Sequence, residues 1–128
     1  MDKDLVVLYA EDDDDIRSIT EFALDDEGFV LCAFPTGDEA VLNAKDVEAD
    51  LLLLDVMMPG IDGPTTLKKL REFPHLEKTP VIFMTAKVQE VEVQEYLDLG
   101  AAGVIGKPFN PMTLPEEIKA ILAKQSDS

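Results

Sequence analysis

Two acids, Glu11 and Asp12, follow directly on the apolar run from Leu5 to Ala10, and a third, Asp55, ends the leucines 51 to 54 ahead of the breaker Pro59-Gly60. Thr85 closes the run that begins at Val81, and Lys107 follows the run from Ala102 to Gly106. Clustered carboxylates repel and raise one another's pKa unless a hard cation neutralises them. A set of oxygen donors without His or Cys suits Mg²⁺ better than zinc. A metal beside a further carboxylate, with an ammonium opposite, is an arrangement for receiving a phosphoryl group. In it Asp55 attacks, while Mg²⁺ and Lys107 compensate the charge on the transferred oxygens. Thr85 would hydrogen-bond a phosphoryl oxygen. The product would be an acyl phosphate, which water can hydrolyse.

Such a site exists only if the runs are parallel strands that end on one edge of a sheet. Four consecutive leucines read as a strand buried on both faces, the pattern of a central parallel strand. An acid at its end sits at the carboxyl edge, where ligands of open α/β folds bind. The run from Leu5 to Ala10 reads as a second such strand. A helix is expected from Asp14 to Glu27, with Ile16, Ile19, Phe22 and Ala23 as its apolar stripe and Gly28 at its C′ position. Capping and the helix dipole explain Asp13 to Asp15 in the run of five acids, but not Glu11 and Asp12.

Phe29 to Ala33 reads as a short strand, and Thr36-Gly-Asp-Glu39 as a capping box opening a helix that carries Ala40, Val41 and Ala44. Asp62-Gly63-Pro64 starts another helix, with Leu67 and Leu70 inward, which Phe73-Pro74 ends. Val81 to Met84 is a strand. Val88, Val91 and Tyr96 continue as a helix that Gly100 terminates, Ala102 to Gly106 is the fifth strand, and Thr113-Leu-Pro-Glu116 opens a last helix. That helix places Leu114, Ile118, Ile121 and Leu122 on one face, and the polar tail from Lys124 to Ser128 is expected to fray. Five strands alternating with five helices specify an α/β domain whose parallel sheet is covered on both faces. Periodicity does not give the strand order.

The chain has 128 residues, 27 acids against 11 bases, a formal charge of −16 and one cysteine. This length suits one domain, large enough to bury roughly two-thirds of its unfolded surface. The charge disfavours direct contact with nucleic acid, whose binding rests on Lys and Arg displacing counterions, and disfavours an anionic membrane surface. Cys32 has no internal partner for a disulfide. No basic and apolar leader opens the chain, and no apolar run approaches the roughly 20 residues of a spanning helix. A soluble, cytoplasmic protein is expected.

The runs Val7-Leu8-Tyr9-Ala10-Glu11-Asp12, Leu53-Leu54-Asp55-Val56-Met57-Met58-Pro59-Gly60-Ile61-Asp62-Gly63, Pro80-Val-Ile-Phe-Met-Thr85-Ala86 and Gly100-Ala-Ala-Gly103 leading to Lys107-Pro108-Phe109 give the chain its family likeness. In order and spacing, across residues 4 to 124, it resembles the response-regulator receiver (CheY-like) domains of two-component signalling. The resemblance implies a single receiver domain over residues 1 to 128 with a flavodoxin-like (βα)5 fold, a three-layer sandwich with strand order 2-1-3-4-5. It implies Asp55 as phosphoacceptor, Glu11 and Asp12 as the acid pair holding Mg²⁺, and Met57 as a ligand through its backbone carbonyl. Lys107 would contact the phosphoryl group, and Thr85 would be the switch hydroxyl. The donor would be a phosphohistidine on a sensor histidine kinase or a phosphotransfer protein. The target would be a protein bound through the last two helices and the strand between them.

Val104 stands three before Lys107, where the family commonly has Tyr or Phe. A β-branched side chain cannot make the inward swing of an aromatic ring, so signal is expected to run through the backbone from Thr85 to Lys87 and the helix beyond. His75 is expected to be solvated, and Met58, Phe83 and Met84 to be core. The chain is expected to catalyse only its own phosphorylation and dephosphorylation, either alone or within a larger regulator or hybrid kinase. One alternative is a Mg²⁺-dependent phosphohydrolase with Asp55 as nucleophile, but Met57 stands where such enzymes usually need a second acid. Flavin binding is the other, and five acids after the first strand would repel its phosphate.

Overall fold

The computed structural model describes residues 4–126. Five parallel strands, β1 (Leu5–Ala10), β2 (Phe29–Phe34), β3 (Leu51–Asp55), β4 (Val81–Thr85) and β5 (Gly103–Gly106), form one sheet in the order β2-β1-β3-β4-β5. This is the order that the resemblance implies. Between and after them run α1 (Asp14–Leu24), α2 (Gly37–Asn43), α3 (Gly63–Leu70), α4 (Glu90–Asp98) and α5 (Leu114–Ser126).

Strand alternation divides the apolar runs between two cores. Leu8, Ala10, Leu52, Leu54, Val81 and Phe83 point to the face covered by α2 and α3 through Ala40, Leu67 and Leu70, with Tyr96 of α4 packed against it. Val7, Tyr9, Leu51, Leu53, Ile82, Met84 and Ile105 point to the opposite face, which α1 and α5 cover through Ala23, Leu24, Leu114 and Ile118. All four leucines of β3 are fully buried, two on each side. Each such side chain contributes roughly 2 kcal/mol on leaving water.

Helix starts follow the capping residues. The Asp13 carboxylate accepts from the backbone N–H groups of Asp15 and Ile16, Thr36 Oγ1 from that of Glu39, and Asp62 Oδ1 from that of Thr65, at 2.9 to 3.0 Å. Met58, Phe83 and Met84 are core, as expected.

Several expectations are corrected. The first helix ends at Leu24 and not Glu27: Asp25 is extended and Asp26 takes a left-handed conformation at φ 59°, which Asp tolerates better than most residues. Its buried residues are Thr20, Ala23 and Leu24, while Phe22 is 80 % exposed. Of the expected stripe Ala23 is buried and Ile16 half-buried, while Ile19 and Phe22 are exposed, because Thr20, a polar residue, occupies a core position. Val88 lies before α4, and Val88 and Val91 are both exposed. His75 is half-buried in a short 3-10 turn, Pro74–Leu76, with Nε2 hydrogen-bonded at 2.8 Å to the Ala44 carbonyl and its ring edge-on to Phe73. The tail continues α5 as helix to Ser126, so that only residues 127 and 128 of it lie outside the described residues. Among the described residues, no helix is long and apolar enough to cross a membrane.

Candidate phosphoacceptor and metal site

Parallel pairing sets the strand ends nearly level. Asp55 is in register with Met84, and Thr85 with Gly106, the residue before Lys107. The ladder continues past the strands: the N–H of Glu11 donates to Phe34 O, that of Val56 to Met84 O, and that of Lys107 to Thr85 O, at 2.9 to 3.0 Å. Glu11, Asp55 and Lys107 are therefore placed by sheet hydrogen bonds and not by loose loops. The Lys107–Pro108 peptide is cis.

Gly63 allows the loop after Asp55 to fold back. A Cβ there would lie 2.6 Å from the Asp55 carbonyl oxygen, so α3 starts against the backbone of β3 only because position 63 has no side chain. That turn carries Met57, which is 71 % exposed.

The side chains converge as the strand ends require. Lys107 Nζ donates to Glu11 Oε1 at 2.9 Å and to Asp55 Oδ1 at 3.1 Å. Glu11 and Asp55 are both buried, at 0 and 3 % exposure. Glu11 Oε2 also accepts from the N–H of Asp13 at 3.2 Å. Asp12 is exposed, yet Glu11, Asp12 and Asp55 each offer a carboxylate oxygen within 4.8 Å of the other two. Thr85 is buried on the same edge, and its hydroxyl accepts the N–H of Lys87 at 3.1 Å.

The electrostatics follow from this packing. Burial raises the Asp55 carboxyl to about 7, Glu11's charge adds to the rise, and Lys107 opposes both. Burial acts to lower Lys107, but its bonds to Glu11 and Asp55 outweigh that and hold the ammonium above its ordinary value. Burial also pushes the Tyr9 phenol well above its usual range, beside Glu11 and Asp55.

Two buried carboxylates with a single ammonium between them carry excess negative charge, and a third carboxylate stands at the rim. The donor set is all oxygen, hard and acidic, which fits Mg²⁺ and does not fit zinc. Sequence reasoning singled out Glu11, Asp12, Asp55 and Lys107, and the fold brings them together. It missed Arg17, whose guanidinium donates to the Glu11 carbonyl at 2.9 Å and pairs with Asp14. The signal was available, since a residue in the first turns of the helix after β1 points back toward the strand end.

A family model described as response regulator receiver domain matches residues 7–119. Among curated proteins, the transcriptional regulatory protein CseB of Streptomyces coelicolor is 37 % identical over 119 residues, 92 % of this chain and 49 % of that protein. CpxR of Klebsiella pneumoniae is 42 % identical over 118 residues, again 92 % of this chain and 49 % of that protein. The chain thus spans about half the length of the curated relatives it matches. Among solved structures, the chemotaxis protein CheY4 of Vibrio cholerae aligns with a TM-score of 0.84 at 30 % identity, covering 92 % of this chain and 98 % of that one. A putative response regulator from Chloroflexus aurantiacus aligns at 0.83 and 31 %, covering 94 and 99 %.

Proposed function

Because the chain belongs to the response regulator receiver domain family of two-component signalling, we propose that it is a switch set by phosphorylation of Asp55. What carries this reading is the ammonium of Lys107 lying between Glu11 and Asp55 at the carboxyl edge of the sheet. That geometry supports a carboxylate nucleophile with a fixed cation at the place where transferred oxygens would gather negative charge.

In the proposed reaction an Asp55 oxygen attacks the phosphorus of a phosphohistidine on a sensor histidine kinase or phosphotransfer protein. The P–N bond breaks with its electron pair going to the imidazole nitrogen, which takes up a proton. Lys107 holds the transferred group, and the Thr85 hydroxyl donates its proton in a hydrogen bond to a phosphoryl oxygen. Glu11, Asp12, Asp55 and the Met57 carbonyl would hold Mg²⁺, which when bound supplies positive charge against the phosphoryl oxygens. In the separate hydrolysis step water attacks phosphorus and the bond to the Asp55 oxygen breaks, leaving free carboxylate and inorganic phosphate.

On this reading the chain turns over no separate metabolite. It is a cytoplasmic phosphoprotein that changes a protein-binding surface on α4, β5 and α5. With its charge of −16 the domain makes no direct contact with nucleic acid, although the matched relatives are named as transcriptional regulators. The phosphohydrolase alternative lacks support at Met57, which offers no acid two residues after Asp55. Intact mass after incubation with acetyl phosphate and Mg²⁺ tests the proposal. Wild type should gain one phosphoryl group and Asp55→Ala none, whereas turnover of a phosphomonoester would favour the alternative.

A further inference from the structure

Asp12 is the one carboxylate of this cluster with no hydrogen bond or ion pair to its side chain among the described residues, so its aim is set by the backbone. The carbonyl of Glu11 and the N–H of Asp12 belong to one rigid peptide plane. Arg17 Nη1 donates to that carbonyl at 2.9 Å. The N–H of Glu11 is held separately by Phe34 O, and its side chain by Lys107 and the N–H of Asp13. Among the described residues, only the Arg17 bond holds the plane that leads into Asp12.

Arg17 is itself well seated. Its side chain is 21 % exposed and pairs with Asp14 on the same helix. That helix is tied to β1 by a buried chain of hydroxyls. Thr20 Oγ1 gives its proton to the Ile16 carbonyl at 2.8 Å, so the phenol of Tyr9 must donate to Thr20, at 2.9 Å. Strand β1 thus fixes α1 through Tyr9, and α1 returns through Arg17 to fix the peptide at the end of β1.

We propose that Arg17 is a positioning residue which, by holding the Glu11 carbonyl, aims the Asp12 carboxylate at a divalent cation. This rests on the reading of Glu11, Asp12 and Asp55 as the Mg²⁺ site. Charge and position make opposite demands here, which gives the test its sign. A guanidinium beside an acid cluster repels a divalent ion, so a residue acting by charge alone would, when removed, leave Mg²⁺ more tightly bound. A positioning residue, when removed, leaves it more weakly bound.

Calorimetric titration of Mg²⁺ into metal-free wild type, Arg17→Ala and Arg17→Lys separates these, with thermal melts in chelator reporting the fold. Arg17→Ala should bind about ten-fold more weakly, the low end of the loss seen when a ligand's supporting hydrogen bond is removed. Arg17→Lys keeps a donor but cannot span both the carbonyl and Asp14, and should fall between the two. Binding by Arg17→Ala as tight as wild type, or tighter, overturns the inference. Should Arg17→Ala not fold, Arg17→Lys decides, weaker binding than wild type supporting the inference and equal or tighter binding overturning it. A wild type that binds no Mg²⁺ is a different result, overturning the reading of the site and this inference with it.

Discussion

Lys107 and Glu11 are 96 residues apart in the chain and 2.9 Å apart in the fold, joined by a bond that also brings Asp55 under the same ammonium. This contact closes the site across three strands. It also predicts what removing one partner does. Lys107→Ala leaves two buried carboxylates uncompensated and should cost about 3 kcal/mol in metal-free buffer, the scale for breaking a buried pair from one side. Mg²⁺ should recover part of the loss. Urea denaturation with and without Mg²⁺ measures both, and an unchanged midpoint in chelator would show that the pair adds nothing to the fold.

Asp55 predicts a pH dependence with a definite sign. Unfolded, its carboxyl ionises at 3.8, and folded at about 7. Between those values the folded state holds a proton that the unfolded state has lost, so this group's contribution falls as pH rises through the window and levels off above 7. Asp55→Asn removes the titration. In metal-free buffer it should melt close to wild type at pH 4 and above it at pH 8. The same difference at both pH values would show that the carboxyl is not raised.

The acid cluster predicts ligand-linked stability. Mg²⁺ at ten times its dissociation constant should stabilise the folded state by about 1.4 kcal/mol, and Asp12→Asn should remove most of that gain. Melting temperatures at low ionic strength report it. No rise in wild type would argue against a metal at Glu11, Asp12 and Asp55.

Gly63 predicts a steric defect beside the site. In Gly63→Ala the new methyl would meet the Asp55 carbonyl oxygen at 2.6 Å and Val56 Cα at 2.9 Å, both backbone atoms with little room to move. Overpacking of this kind costs about 1 to 3 kcal/mol. The denaturation midpoint should drop accordingly, and wild-type stability would mean that α3 slides away freely.

Val104 predicts where the switch is felt. It is half-buried on β5, in register with Phe83, and has no aromatic ring to turn. Beryllofluoride should therefore shift the amides from Thr85 to Lys87 and on into α4. An unmoved segment from Ala86 to Glu95 in amide spectra would remove that route.

Much of this was legible in the linear chain. The unbroken apolar runs that begin at Leu5, Leu51 and Val81 required strands buried on both faces, and such strands are parallel and end on one edge. The residue types at those ends, Glu11, Asp12, Asp55 and Thr85, were thereby placed on that edge together, and Lys107 joined them from the end of the shorter run from Ala102 to Gly106. Caps at Asp13, Thr36 and Asp62 were equally readable, because a cap is a local bond between residues two or three apart.

What the chain order did not carry was anything decided between distant residues. Thr20 takes a core position only because the Tyr9 hydroxyl meets it there, so a pattern built on hydrophobicity alone shifted the stripe of α1 onto exposed Phe22. His75 is held in place because Ala44 presents a carbonyl from another part of the fold. Which carboxylate Lys107 binds, how far Asp55 is driven from its ordinary ionisation, and how Arg17 grips the Glu11 peptide all depend on packing distances. Sequence by itself determined which groups stand at the strand ends, since that follows from local periodicity. Only the tertiary structure decided how they share charge, because electrostatic energy varies with separation and burial, and neither exists until the sheet has closed.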